Sequence, residues 1–330
     1  MEATVELSAA WRTDPGLVRG HNEDFVAVYE PETPDDLSAH GSLYIVADGV
    51  GGADAGEVAS QYASERTLYH YLRPSADEER GRRLIEAMQA ANTDLRQLAA
   101  GLEDNRRMAT TMVAAAIHED HAYIGNVGDS RAYLLRGGVL TQVTRDQSLV
   151  ARLVEEGALT PEEAVNYPYK NIILYSIGSE KRPPIDLFQV DLELGDQLLL
   201  CSDGLTRHVS DGEIAGLLLE QPLEVIVESL VRLARERGGE DNITVAVVQY
   251  GPRPDVPPAG DEETTTTIYR ARPRPVVITE PVPMAMPQTV TRAAPPERGP
   301  RMWPVMLVLT LVMIILIVLL WYFIQQTTAL

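Results

Sequence analysis

The chain has 330 residues, 45% of them hydrophobic, with 48 acidic and 28 basic side chains and a formal charge of −20. Six acids and seven arginines follow Gly251, so the first 250 residues carry the whole deficit, about −21. Such a surface repels phosphodiester backbones and no Lys/Arg run offsets it, which excludes nucleic acid as a partner.

Along residues 1–250, β-branched and aliphatic runs predict strands at Val5–Thr13, Phe25–Tyr29, Leu43–Ala47, Thr111–Ile117, Ala122–Val127, Arg131–Leu135, Ile185–Val190, Gln197–Cys201 and Ile243–Tyr250. Helical spacing predicts Ala55–Leu72, Asp77–Leu102, Gln147–Glu156, Asp211–Leu219 and Leu223–Arg237. Close strand pairs joined by short turns favour antiparallel hairpins, and no linker divides the segment, so one α+β domain is expected. From Gly251 to Met302, twelve of the 22 prolines fall in 52 residues, the composition of a disordered, partly extended tether. Within it, Thr264–Thr267 follows three acids, either as polar low complexity or as a phosphoacceptor cluster. Trp303 to Ile324 is uncharged and apolar over 22 residues; as a helix of about 33 Å it is expected to cross a membrane, leaving a short extracytoplasmic tail, 325–330. Arg298 and Arg301 precede it, and the acidic N-terminus lacks a signal peptide's pattern. The expected location is therefore the cell membrane, single-pass, with residues 1–250 cytoplasmic.

Several aspartates share one local pattern, an apolar run meeting Asp beside Gly or Asn. They are Asp48-Gly49 after Leu43–Ala47, Asp203-Gly204 after Leu198–Ser202, and Asp241-Asn242 before Ile243. Asp129-Ser130 and Asn22-Glu23-Asp24 are related. Each carboxylate is thereby held at a strand tip, and gathering like charges is costly unless cations balance them. Oxygen donors without a Cys or His cluster suit Mg²⁺ or Mn²⁺ rather than zinc. The six histidines are read as ordinary surface or core residues.

These strings resemble the metal-dependent protein serine/threonine phosphatases of type 2C, in particular the compact bacterial members. The resemblance rests on Gly16–Asp24, Val46–Ser60, Met108–Thr111, Gly125–Arg131, Leu200–Leu205 and Asp241–Val245, in the family's order across the whole globular part. It implies two packed antiparallel sheets flanked by helices. It also implies two Mn²⁺ or Mg²⁺ ions held by Asp24, Asp48, Asp203, Asp241 and the Gly49 carbonyl, with Asp129 and Asp203 able to hold a weaker third. Arg19 corresponds to the family's phosphate-binding arginine, Glu23 to a group that holds metal-bound water, and Asn242 to a supporting neighbour. The implied reaction is hydrolysis of phosphoserine and phosphothreonine monoesters by water that two ions activate, opposing bacterial Ser/Thr kinases; the expected tether points to membrane-bound kinases as the substrates.

The resemblance frays in places. Val50 stands where eukaryotic relatives have histidine. In the flap segment, Thr144 to Ser179, the usual Asp-His-Ser reads Asp146-Gln147-Ser148, and Arg207 stands where some relatives carry an acidic ligand of the third metal. Two rivals follow. A phosphatase-fold scaffold that binds phosphoproteins without turnover would retain the membrane tether. Cys201 to Arg207 also fits the Cys-x5-Arg spacing of cysteine-dependent phosphatases, but Asp203 inside that loop would repel the dianion and Cys201 ends a buried strand.

Overall fold

A computed structural model describes residues 5–51, 55–73, 79–101, 108–220 and 222–252. The chain separates into two units, Met1–Val276 and Val277–Leu330, and every described residue belongs to the first. The tether beyond Pro252, Thr264–Thr267 and the apolar run 303–324 lie outside the described residues. Among the described residues, no helix is long and apolar enough to cross a membrane.

Two antiparallel sheets stack face to face. The first runs β1 (Leu7–Asp14), β11 (Ile243–Tyr250), β10 (Gln197–Cys201), β7 (Arg131–Arg136) and β8 (Val139–Gln142). The second runs β2 (Asp24–Tyr29), β3 (Ser42–Val50), β5 (Met112–His118), β6 (His121–Val127) and β9 (Asp186–Asp191), with the two-residue β4 (Ala109–Thr110) pairing with the end of β3. The period of two along each strand divides its side chains between two cores. On β3, Tyr44 and Val46 enter the layer between the sheets, while Leu43, Ile45 and Ala47 face α2 (Ala55–Tyr71) and α3 (Arg80–Ala100). On β11, Ala246 and Val248 enter the same middle layer, while Val245 and Val247 meet α7 (Asp211–Glu220) and α8 (Leu223–Glu236). The result is helix, sheet, sheet, helix, in which each fully buried Leu, Ile or Val contributes roughly 1.5–3 kcal/mol. Helix α2 buries Ala55, Ala59 and Ala63 on one face, small side chains that bring it close to β2 and β3.

All nine expected strands form, their ends displaced by no more than three residues and those of β10 and β11 unchanged, and the five expected helices form likewise, the expected ends at Asp77 and Leu102 lying outside the described residues. Five elements were not expected from periodicity: β4, β8, α1 (Pro34–His40), α5 (Pro161–Val165) and the single turn α6 (Asp203–Thr206). The flap segment contains α4 (Leu149–Glu155) and α5, and it is tied down by bridges from Ile173 to Ser148 and from Ile177 to Thr110.

Candidate active site

The apolar strand tips set the positions of the acidic residues. Asp24 opens β2 and lies opposite Asp48 in the β2–β3 register. Backbone hydrogen bonds then hold the neighbouring chain: the Gly49 amide donates to the Glu23 carbonyl at 3.0 Å, and the Asp48 carbonyl accepts from the Thr111 amide at 2.9 Å and the Thr110 hydroxyl at 2.8 Å. A Cβ on Gly49 would lie 2.3 Å from the Gly56 carbonyl oxygen, so only glycine lets the start of α2 approach this turn. The first sheet connects through Ser202, whose hydroxyl donates to Asp24 Oδ2 at 2.7 Å and accepts from the Thr244 amide at 3.0 Å. Asn242 fastens the third side. Its Oδ1 accepts from the Glu23 amide at 2.7 Å, while its Nδ2 donates to the carbonyls of Pro15 and His21.

The result is a concentration of negative charge. Burial first, then repulsion from Asp203 and Asp241 against relief from the Ser202 hydroxyl, pushes the Asp24 carboxyl up to about 7. Asp48 is raised well above the ordinary carboxylate range by desolvation and then by Asp24, Asp203, Asp129 and Asp241. Burial and the nearby Asp203 take Asp129 to about 7, and burial raises Asp203 against the pull of Arg207. Glu23, nearly buried against Gly56, is raised by desolvation. Mutual repulsion of this kind places the sequence-selected Asp24, Asp48, Asp129, Asp203 and Asp241 in one electrostatic neighbourhood.

Two guanidinium groups meet that charge. Arg19, its side chain 47% exposed, donates from Nη2 to Asp241 Oδ2 at 2.9 Å. Arg207 donates from Nη1 to the same oxygen at 3.1 Å and from Nη2 to Asp203 Oδ2. Among the described residues, no three His, Cys, Asp or Glu side chains are drawn into ligating geometry about one point. Buried oxygens nevertheless remain without hydrogen-bond partners: Asp24 Oδ1, Asp129 Oδ1 and Asp203 Oδ1. Unpartnered anionic oxygens are costly, and an all-oxygen donor set fits a hard divalent cation.

The flap joins the site at Gln147. Its Oε1 accepts from the Gly128 amide at 3.0 Å and its Nε2 donates to Asp186 at 2.9 Å, so the residue replacing the usual histidine braces the loop that carries Asp129. Arg131 forks onto Asp146 beside it. Cys201, in contrast, points into the core against the second helical layer, and burial pushes its thiol up to about 12, which removes the thiolate the cysteine mechanism needs. Sequence reasoning passed over Ser202 and did not foresee the Arg207 bridge. A polar residue closing the buried run Leu198–Cys201 was the available signal for the first.

The family profile described as Protein phosphatase 2C matches residues 34–245. The chain belongs to the protein phosphatase 2C family. That match starts after Arg19 and Glu23, which lie in the segment joining β1 to β2, and after Asp24, which opens β2. Serine/threonine phosphatase stp of Listeria innocua is 38% identical over 247 residues, covering 74% of this chain and 96% of the relative. The crystal structure of the Mycobacterium tuberculosis serine/threonine phosphatase PstP/Ppp has a TM-score of 0.66 at 35% identity, over 75% of this chain and all of that one. The catalytic domain of PstP solved with two manganese ions has a TM-score of 0.64 at 36% identity, covering 76% of this chain and all of the other.

Proposed function

We propose that this chain is a divalent-cation-dependent protein phosphatase that hydrolyses phosphoserine and phosphothreonine monoesters. The observation that carries the reading is the gathering of strand-tip aspartates from both sheets, with buried carboxylate oxygens lacking partners, beside a half-exposed arginine. Named relatives are serine/threonine phosphatases, and one solved relative holds two manganese ions. Asp24, Asp48, Asp203, Asp241 and the Gly49 carbonyl would hold two Mn²⁺ or Mg²⁺ ions, and Asp129 with Asp203 a weaker third. A bound pair of such ions acidifies water and offsets phosphoryl charge.

The protein's own groups do the rest. Arg19, oriented by Asp241, presents its remaining N–H donors toward solvent, where a planar fork can take two phosphate oxygens and align the monoester. Ser202 keeps Asp24 Oδ2 turned toward the first sheet, leaving Oδ1 free to face the acidic centre. The hydrogen bonds of Thr110, Thr111 and Asn242 fix the backbone on which the carboxylates stand. Glu23, whose carboxyl pKa burial raises above the ordinary range, would orient water in this reading.

Membrane phosphoproteins, among them Ser/Thr kinases, are the proposed substrates, with the run 303–324 as a single-pass anchor and the phosphatase domain in the cytoplasm. The support is the uncharged apolar run and the arginines preceding it.

Phosphate release from a phosphothreonine peptide by the full chain tests the activity. It should require Mn²⁺ or Mg²⁺, stop on chelation and fall in Asp203→Ala. Loss of a group that only orients a ligand costs about 10–100-fold, so loss of Asp203 should exceed about 100-fold. Release that persists in chelator, or in Asp203→Ala, would overturn the reading.

A further inference from the structure

Arg207 follows the single turn α6, four residues after Asp203, the orientation in which an acid and a following base attract most effectively. Its guanidinium spans two carboxylates that are 38 residues apart in sequence, Asp203 through Oδ2 and Asp241 through Oδ2. Asp241 has little else to offer, because its Oδ1 already accepts from the Asn242 amide at 3.0 Å. On Asp203, Oδ1 is buried without a partner. Asp129, whose Oδ1 is also buried and unpartnered, is attracted to the same guanidinium. A cation drawn to Asp203 and Asp241 therefore approaches the oxygens that Arg207 holds, and its charge repels the guanidinium already seated on them.

We infer that Arg207 is a built-in counter-ion that competes with divalent cations for Asp203 and Asp241, so that loading the site and displacing this side chain form one equilibrium. The inference rests on the reading that these carboxylates bind divalent ions. It makes Arg207 a positioning residue: it holds the carboxylates together in the metal-free protein and weakens cation binding by its own affinity for them. With 31% of its side chain exposed, the guanidinium has solvent to swing into when displaced. Arg19 shares Asp241 Oδ2 and remains at the rim, so displacement of Arg207 does not leave that oxygen unpartnered.

Calorimetric titration of MnCl₂ into the chelator-stripped full chain, compared with Arg207→Gln and Arg207→Lys, tests this, with thermal unfolding of each metal-free protein measured alongside. Coupling free energies between sites commonly correspond to roughly 5–150-fold in affinity. Arg207→Gln should therefore bind Mn²⁺ about tenfold more tightly or better in at least one step, while its metal-free form unfolds at lower temperature. Arg207→Lys, which keeps the charge and loses the fork, should fall between, and it serves if the metal-free Gln variant does not fold. Equal Mn²⁺ affinity in the wild type and the folded variants would overturn the inference while leaving the metal reading intact. A lower affinity in the variants would also overturn it, by making Arg207 a support for the metal site. Absence of Mn²⁺ binding in all three proteins would overturn the metal reading itself and this inference with it.

Discussion

Asp24 and Asp129 show how a functional arrangement strains a fold at single residues. In the unfolded chain both ionise in the ordinary carboxylate range, whereas in the folded chain burial and neighbouring charge delay ionisation until about pH 7. Between those limits the folded state holds more protons than the unfolded one, so stability falls as pH rises. The metal-free protein should lose on the order of 2 kcal/mol or more between pH 5 and pH 8, measured by urea unfolding in chelator. Saturating Mn²⁺, which binds the ionised carboxylates, should shrink or reverse that loss; flat or rising stability in chelator would contradict the assignment of the strain to this cluster. These aspartates were legible in the sequence because each interrupts an apolar run, as Asp48 does after Leu43–Ala47 and Asp203 after Leu198–Leu200. The Arg207 bridge was not. Its distant partner Asp241, two residues before β11, is brought near only by the pairing of β10 with β11, and nothing local announces it.

Regular elements were readable where burial imposes a period, and missed where it does not. β3, β10 and β11 are buried nearly throughout and are rich in aliphatic residues. α1 buries no side chain, so it has no hydrophobic stripe; its trace lies in Thr33, which accepts from the Asp36 amide, and in Pro34 at the first turn. α5 likewise shows itself only through the capping box formed by Thr160 and Glu163. β8 is a four-residue edge strand following Gly137-Gly138, both at positive φ, a hairpin turn signal that periodicity does not register. At this scale the turn between β10 and α6 is the critical junction, because it carries Asp203 against the start of β11. A Cβ on Gly204 would stand 1.9 Å from the Asn242 carbonyl oxygen, a backbone atom that cannot move aside without pulling Asp241 and Asn242 with it. Gly204→Ala should cost about 2–3 kcal/mol in urea unfolding, at the upper end of overpacking penalties, and should weaken Mn²⁺ binding as well. A variant of wild-type stability and affinity would show that the two strand ends do not depend on this contact.

Across the whole molecule, charge bears on the proposed anchoring. The first 250 residues carry about −21, and under that proposal an anionic cytoplasmic leaflet would repel them. Fifty-two residues, twelve of them proline, separate residue 250 from the proposed anchor. Under the proposed anchoring, the domain would meet membrane-bound phosphoproteins at a raised effective concentration, while its encounter with freely diffusing peptides would be unaffected. Cutting the chain after Tyr250 should therefore leave turnover of a soluble phosphothreonine peptide within about twofold, yet slow dephosphorylation of a phosphoprotein embedded in the same vesicles by roughly tenfold or more. The peptide assay guards against a truncated chain that has merely misfolded. Raising salt should narrow the gap on anionic vesicles, since the repulsion that keeps the released domain away is screened over about 8 Å at physiological ionic strength. Equal rates for the cut and intact chains on vesicles, with peptide turnover preserved, would remove any role for the apolar run in bringing enzyme and substrate together.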